Sequence, residues 1–229
     1  MVRRAALALA CSAIWAGDAA AIDCKAALAL GIDVSSSVDA REYALQVAGL
    51  AEAFRDPAVI DALLYPPGSG ALVALYAWSG FQHQELLIDW TWLGDPASVA
   101  DFADRIAAAP RRYDHWPTAV GRALSYGAAL HKRAPIGCDR RLIDLSGDGA
   151  NNDGLDPDWF RSRGEFDGLV INGLAIIGAD PDPARYYAAQ VLHGPGAFLE
   201  IADGYADYQR AILRKLLREL QPPFAADAP

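Results

Sequence analysis

The amino-acid sequence predicts a single α/β domain with a doubly wound, mostly parallel sheet and helices on both faces. Short apolar runs alternate with segments in which apolar residues recur every three or four positions. The run at residues 26–32 holds only apolar residues and glycine, as a strand buried on both faces does. Hydroxyl and carboxylate residues follow two of the runs, at the edge where such sheets bind ligands.

The predicted strands are short apolar or β-branched runs bounded by turn residues. They are residues 26–32, 71–78, 84–90, 140–146, 169–177 and 197–201. Only residues 79–83, which begin with Ser79 and Gly80, separate the second and third runs, and this short turn predicts an antiparallel hairpin at one edge of the sheet.

The predicted helices are residues 38–54, 95–108, 117–132, 158–164, 184–192 and 205–220. Asp39 is placed to cap the first helix, and Pro117 is expected in the first turn of the third, where proline is tolerated. The last helix carries one apolar stripe that we expect to pack against the core: Tyr208, Ile212, Leu216 and Leu220.

The N-terminal segment has the features of an export signal. Arg3 and Arg4 precede an apolar stretch at 5–15, and three alanines at 19–21 form a small-residue cleavage site. We therefore expect a signal peptide at 1–21, one domain at 22–220, a disordered tail at 221–229, and a periplasmic or secreted protein. A lipid anchor at Cys11 is the alternative; no later stretch is long and apolar enough for a transmembrane anchor.

The charge balance argues against one class of partner. The whole chain has a formal net charge of −9. Without residues 1–21, 18 basic and 28 acidic residues remain, since two of the 20 basic and one of the 29 acidic residues are lost, and the net charge becomes −10. Nucleic acid is not expected as a partner of such a chain, because phosphate binding requires a basic surface.

Three separated segments supply the donors for one predicted metal site. Asp33, Ser35 and Ser37 follow the first strand, Thr118 lies near a helix start, and Asp148 follows the strand at 140–146. These are hard oxygen ligands, so we expect Mg²⁺, with Mn²⁺ or Ca²⁺ as alternatives. The four histidines show no zinc-ligand spacing.

This pattern resembles the metal-ion-dependent adhesion site of the von Willebrand factor type A (vWA) family. Asp-x-Ser-x-Ser is residues 33–37, the family's lone threonine falls on Thr118, and its Asp-Gly element falls on residues 148–149. The resemblance extends over about residues 25–220. It is to an uncharacterised, exported bacterial branch, and the supporting segments are 143–152, 171–176 and 194–198. One departure is the bulky segment 113–117, where family members usually have small residues.

The resemblance implies a strand order of 3-2-1-4-5-6 with one antiparallel edge strand. It also implies that Ser35, Ser37 and Thr118 bind the metal directly, and that Asp33 and Asp148 bind it directly or through water.

Adjacent first and fourth strands would bring two cysteines together. Cys24 lies nine residues before Asp33, and Cys138 lies ten before Asp148. Neighbouring strands are close enough for a disulfide, and export would let one form. Two buried thiols are the alternative.

Two functions fit these residues. The first is a non-catalytic module that binds a protein or peptide whose carboxylate completes the metal shell; its oligomeric state is left open. The alternative is a Mg²⁺-dependent phosphatase of the haloacid dehalogenase type, because residues 147–152 are close to a Gly-Asp-Gly-x-Asn-Asp element and Lys132 could bind phosphate. However, Ser35 occupies the position of its general acid.

Three further sites have open interpretations. Asp144, inside an apolar strand, either orients the metal site or bonds to backbone at the strand edge. His115 and Trp116 either form a partner-binding rim or pack on the surface. Asn151 and Asp153 are expected to hold their own loop rather than to bind metal.

Overall fold

A computed structural model describes residues 23–178 and 182–221 of the chain. The predicted signal peptide, Cys11 and residues 222–229 of the predicted tail lie outside the described residues. Within the described ranges, no helix combines the length and apolar character needed to cross a membrane.

The secondary structure follows the predicted alternation. The strands are β1 (Asp23–Asp33), β2 (Ser69–Trp78), β3 (Gln84–Leu93), β4 (Arg141–Gly147), β5 (Val170–Ile176) and β6 (Leu199–Ala202). The helices are α1 (Ala40–Arg55), α2 (Pro57–Leu64), α3 (Pro96–Ala107), α4 (Val120–His131), α5 (Pro157–Arg161), α6 (Pro183–Tyr186) and α7 (Tyr208–Leu220). A π-helical turn (Tyr187–Val191) continues α6, and a 3₁₀ turn (Tyr205–Asp207) leads into α7.

The six described strands form one sheet in the order β3-β2-β1-β4-β5-β6. All neighbouring strands are parallel except β2 and β3, which form the antiparallel edge pair. The predicted fold class and strand order are therefore confirmed. The chain leaves β1 toward β2 on one side and later returns to β4 on the other, so the strand order reverses at β1, where such sheets bind ligands.

Alternation along the strands creates two cores. Leu28, Leu30 and Ile32 of β1 pack with α1, α3 and α7 on one face, and Ala29 packs with α4 on the other. Gly31 also faces α4, and a Cβ there would lie 2.6 Å from the Tyr76 hydroxyl. Only glycine therefore lets the large Tyr76 ring cross the centre of this face. The predicted stripe of α7 is buried in the first core.

Helix starts are mostly fixed by aspartate caps. The Asp39 carboxylate accepts a hydrogen bond from the Glu42 amide at 2.8 Å, as expected for the cap of α1. Asp56 caps α2 in the same way, and Pro57 occupies its first position. Helix α2 was not predicted, because its short, largely apolar segment has no clear helical period.

The prediction for the start of α4 was wrong. Pro117 lies outside the helix, which begins at Val120. The intervening residues bond elsewhere: the Thr118 amide donates to Asn152 Oδ1 at 2.8 Å, and the Ala119 amide donates to the Ser79 carbonyl at 2.9 Å. These long-range bonds hold the segment extended, so the helix starts later than the proline suggested.

The predicted disulfide is present between Cys24 and Cys138, whose Cα atoms lie 4.6 Å apart. Cys24 is near the start of β1, and Cys138 lies just before β4. Because β1 and β4 are adjacent and parallel, the bridge lies at the edge of the sheet opposite the carboxyl ends of these strands.

Candidate metal centre

The two predicted aspartate ligands lie side by side because their strands are neighbours. Ile32 of β1 pairs with Ser146 of β4, so Asp33 at the end of β1 lies next to Gly147. Asp148 follows directly. The parallel register thus delivers both carboxylates to the same edge of the sheet.

The loop after β1 turns its serines toward Asp148. Ser37 Oγ donates a hydrogen bond to Asp148 Oδ1 at 2.7 Å, and Ser35 Oγ lies 3.1 Å from Ser37 Oγ. The Ser35 amide donates to Asp33 Oδ1 at 2.8 Å, and the Val38 amide closes the turn on the Ser35 carbonyl. Four of the five predicted residues therefore form one hydrogen-bonded group.

Thr118, the fifth predicted residue, lies on the adjoining loop. A Cβ placed on Gly149 would be 3.6 Å from Thr118 Oγ1, so the hydroxyl lies against the Asp148-Gly149 turn. The Asn152 amide donates to the Thr118 carbonyl at 2.8 Å, while the Asn152 side chain accepts from the Thr118 amide. This two-way pairing sets the position of the threonine on the edge that carries the serines.

The bonds of Asn151 and Asp153 differ from the prediction that they hold their own loop. Asn151 Oδ1 accepts from the Gly121 amide of α4 at 3.4 Å. Asp153 Oδ2 accepts from the Phe81 amide in the β2–β3 turn at 2.7 Å. The loop after β4 is therefore joined through its side chains to two other segments near the site.

The electrostatics of the site favour a cation. Asp33 is fully buried, and Asp148 is 7% exposed. Burial raises the pKa of Asp33 to about 7, and the negative charge of Asp148 contributes to the rise. Among the described residues, Asp33 Oδ2 has no hydrogen-bond partner. A divalent ion would bind that oxygen and remove the repulsion between the Asp33 and Asp148 carboxylates. The donor set therefore fits a divalent cation.

Two tyrosines that the sequence analysis missed lie behind the carboxylates. The Tyr205 hydroxyl donates to Asp148 Oδ2 at 2.9 Å. The Tyr187 hydroxyl lies against Gly147, where an added Cβ would also approach Asp33 Oδ2 within 2.8 Å. Burial and the two carboxylates raise the pKa of both phenols, so both keep their protons. In sequence, each is simply another apolar position of a helical segment.

The backbone of the first loop is held from two further directions. Gln46 of α1 donates from Nε2 to the Asp33 carbonyl at 3.0 Å. The Arg111 guanidinium donates to the Ser35 carbonyl at 3.3 Å and also to the Val38 carbonyl. These donors occupy the backbone oxygens, so the side-chain oxygens remain the ones directed at the site.

Both interpretations of Asp144 were wrong. Lys215 Nζ of α7 lies 2.7 Å from Asp144 Oδ1 and 2.6 Å from Glu219 Oε1, and all three side chains are buried. Glu219 Oε1 also accepts from Asn172 Nδ2 at 2.8 Å. Burial raises the pKa of Asp144 to about 7 although Lys215 opposes the shift. Asp144 therefore ties α7 to the sheet centre rather than serving the metal site.

The donor set contains only oxygen. In the part of the chain that the structure describes, no three His, Cys, Asp or Glu side chains converge in a metal-binding group. The candidate centre has only two acidic residues, so serine and threonine hydroxyls must complete the set. Such donors suit hard cations.

The architecture is that of solved von Willebrand factor type A domains. A vWA protein from Catenulispora acidiphila matches with a TM-score of 0.61 and 19% identity, over 86% of this chain and 43% of that one. Proximal thread matrix protein 1 from the mussel byssus, in a structure with a zinc-occupied MIDAS motif, matches with a TM-score of 0.60 and 18% identity, over 86% and 46%. The pilus adhesin SpaC from Lactobacillus rhamnosus GG matches with a TM-score of 0.59 and 13% identity, over 86% of this chain and 30% of that one.

The present chain thus spans less than half of each of these solved chains. At such identities the likeness establishes the fold, which confirms the vWA resemblance. Comparison with curated proteins gave no significant match. A family model described as "Protein of unknown function (DUF1194)" matches residues 23–224 of the 229. The chain therefore belongs to this family, and its domain has the vWA fold.

Proposed function

We propose that this protein is an exported, metal-dependent binding module that recognises an acidic group of a protein partner. One observation carries the proposal: four predicted ligand residues from two separate loops form one hydrogen-bonded group around a buried carboxylate oxygen that has no partner among the described residues. Thr118 borders the same group. A divalent cation would be held there by Asp33, Ser35, Ser37, Thr118 and Asp148.

Charge determines what such an ion would do. The two carboxylates neutralise a divalent cation, and the three hydroxyls add no charge. Asp33 is buried, whereas Ser37 is exposed, so the centre opens to solvent on the serine side. An ion with five protein or water-mediated ligands and octahedral preference has one further position. A partner carboxylate entering from the serine side would fill it.

Mg²⁺ is the cation that we propose in the cell, with Mn²⁺ and Ca²⁺ as close alternatives. The all-oxygen donor set supports this choice. The zinc-occupied MIDAS motif of the mussel protein supports a divalent ion at this position of the fold. We expect Zn²⁺ to compete here only at high concentration.

Export is the second part of the proposal. Residues 1–21 have the composition of a signal peptide. The Cys24–Cys138 disulfide fits an oxidising compartment such as the periplasm or the exterior. Mass measurement of the protein recovered from the periplasm would test cleavage of the signal peptide. The expected mass is that of a chain that begins near Ile22, and the mass of the full-length chain would contradict the proposal.

The phosphatase alternative is not supported by the geometry. Lys132, its candidate phosphate-binding residue, follows the C-terminal end of α4, whereas Thr118 lies just before the N-terminal end. The 12 residues of α4 extend about 18 Å, so Lys132 cannot reach the site. Ser35 also remains in place of a general acid. An assay with a generic aryl phosphate should show no turnover that depends on Asp33.

A Mn²⁺ titration followed by electron paramagnetic resonance tests the site directly, because bound Mn²⁺ loses the free-ion signal. Wild type should bind one ion. Ser37→Ala and Asp33→Ala should lose this binding, whereas Ser36→Ala, an exposed serine in the same loop, should keep it. Undiminished binding in Asp33→Ala would refute the proposed centre.

Recognition of the acid is measured separately through the water that remains on bound Mn²⁺. N-acetyl-aspartate methylamide should displace that water and lower the proton relaxation rate, and the asparagine analogue should not. Equal effects of both compounds would contradict acid recognition while leaving metal binding intact.

A further inference from the structure

An open groove with an aromatic wall lies beside the candidate metal centre. We call it the rim groove; its volume is about 340 Å³. Its residues are Phe81, Gln82, His83, Trp116, Pro117 and Asp153. Trp116 is 45% exposed and Phe81 is 39% exposed. Two large aromatic side chains that stay this exposed side by side are unusual on a surface that serves only solubility.

The aromatic wall of the rim groove is rigid. The indole of Trp116 stacks on the His83 ring with centroids 3.8 Å apart and planes 16° from parallel. Ser79 Oγ donates to the carbonyls of Trp116 and Pro117, each at 3.1 Å. His83 is itself held in a tight turn by its bonds to Ser79 and Gly80. A partner would therefore meet a preformed surface and lose little entropy in ordering it.

The rim groove and the metal centre form one continuous surface. The Ser36 amide, between the two predicted serine ligands, donates to the Trp116 carbonyl at 2.9 Å. Trp116 and Thr118 are two residues apart, so their Cα atoms are within about 7 Å. On the other side, the Asp153 amide donates to the Thr118 carbonyl at 3.2 Å. The serine loop and the Thr118 segment thus each bond directly to a residue that lines the groove.

The chemistry of the groove suits an aromatic side chain carried by an acidic segment. The Arg122 guanidinium lies over the Phe81 ring at 5.5 Å, and Arg111 lies behind the serine loop. Asp153, the acid in the groove, is engaged by the Phe81 amide. The two carboxylates of the proposed metal centre would offset the charge of a bound cation, so the excess positive charge here is that of two guanidinium groups over the single Asp153 carboxylate. An acidic partner is attracted here, and a flat apolar ring can stack on the indole.

We propose that the partner is an extended peptide segment in which an Asp or Glu is accompanied, within three residues, by an aromatic residue that binds the rim groove. This inference rests on the proposed function, because the acid is the group that would bind the metal. In an extended chain, side chains two positions apart lie on the same side and about 7 Å apart. That spacing is of the same order as the upper limit of about 7 Å for the Cα separation of Trp116 and Thr118.

A random twelve-residue peptide display library, bound in saturating Mg²⁺ and eluted with EDTA, tests the inference. Peptides from wild type should carry an acid with an aromatic residue within three positions. Peptides from Trp116→Ala should keep the acid and lose the aromatic. Trp159→Ala is the matched control, since Trp159 is another exposed tryptophan, on α5 and stacked under Arg163; its peptides should resemble those of wild type.

Synthetic peptides then give the magnitude. Replacing the aromatic of a selected peptide by alanine should weaken binding to wild type roughly three- to tenfold, and should not weaken binding to Trp116→Ala further. If Trp116→Ala folds poorly, the comparison of the selected peptide with its alanine-substituted form still tests the inference on wild-type protein. Two results would refute aromatic binding in the rim groove: selected acidic peptides with no aromatic preference, or an aromatic preference that is unchanged in Trp116→Ala. Neither result would contradict the proposed metal-dependent binding of an acid. Absence of any EDTA-eluted peptide would overturn both.

Discussion

The proposed metal centre predicts that Mg²⁺ raises the thermal stability of this protein and that replacing Asp33 with asparagine abolishes the rise. The wild-type carboxylate is buried beside Asp148, and burial and that neighbouring charge raise the pKa of Asp33 to about 7. A divalent cation in the proposed centre would relieve the repulsion between these two carboxylates. Asparagine has nearly the same shape, and its side-chain oxygen can still accept from the Ser35 amide, but it brings no charge to the metal. The variant should therefore fold and not respond to Mg²⁺.

The expected size of the effect follows from mass action. A ligand at one hundred times its dissociation constant stabilises the folded state by about 2.7 kcal/mol. For a domain of this size, each kcal/mol raises the melting temperature by roughly 2–4 °C. Saturating Mg²⁺ should thus raise the wild-type melting temperature by about 5–10 °C. In Asp33→Asn the rise should be close to zero, and the metal-free variant should be at least as stable as metal-free wild type.

Thermal unfolding followed by circular dichroism, in EDTA and across a Mg²⁺ titration, measures this shift. Asp144→Asn is the matched control, because Asp144 is also a fully buried aspartate with a pKa raised to about 7. It pairs with Lys215 and not with the metal loops, so its variant should keep the Mg²⁺ response. A full response in Asp33→Asn, or its loss in both variants, would refute the reasoning.

Three other perturbations have defined outcomes. Tyr205→Phe removes a hydrogen bond to Asp148 of the proposed centre and should weaken Mg²⁺ binding roughly three- to tenfold by calorimetry, whereas Tyr208→Phe, whose hydroxyl faces Ser146, should not. Burial lifts the pKa of both Asp144 and Asp33 from 3.8 to about 7, so the folded state holds protons that the unfolded chain releases. Stability in EDTA should fall as pH rises from about 4 to 7, and melts of Asp144→Asn should show a flatter profile that keeps the Asp33 part of the fall. Replacing both Cys24 and Cys138 by serine should lower the free energy of unfolding in urea by about 2–4 kcal/mol, with Mg²⁺ binding unchanged because the bridge lies at the opposite edge.

The sheet was predictable because its strands carry local patterns. The run at residues 26–32 is apolar throughout, and turn residues mark the β2–β3 hairpin. The order of the strands, by contrast, came from the vWA resemblance, since no local pattern says that β1 pairs with β4. The predicted disulfide depended on that pairing, and the structure contains both the β1–β4 pair and the Cys24–Cys138 bridge.

The residue types of the candidate metal-binding loops were predictable, and the contacts between those loops were not. Asp-x-Ser-x-Ser and Asp-Gly can be read in the sequence, because the chemistry depends on those side chains. The Ser37–Asp148 bond joins residues 111 positions apart, and Tyr205 reaches Asp148 across 57. Such contacts depend on how the helices pack, so a tyrosine in a helical segment gives no sign of the carboxylate that it will bind.

The partner of Asp144, a buried carboxylate, was also not predictable from the sequence. A carboxylate inside an apolar strand must find a partner, and the sequence offers many bases. Lys215 reaches it only because α7 packs across the sheet at that level, with Glu219 one turn farther along. The need for a partner could be predicted from burial, and its identity could not.

In the proposed metal centre, the distribution of burial indicates the side from which a partner would approach. Asp33 is sealed behind Gly147 and the tyrosines, whereas Ser36 and Ser37 are exposed. The carboxylates would thus supply charge from the buried side, and the exposed hydroxyl side would be the route to a bound cation. Trp116 borders that side through its bond to Ser36. A carboxylate that enters from there must bring its neighbouring residues past the indole, so selectivity among acidic partners would depend on this side of the site.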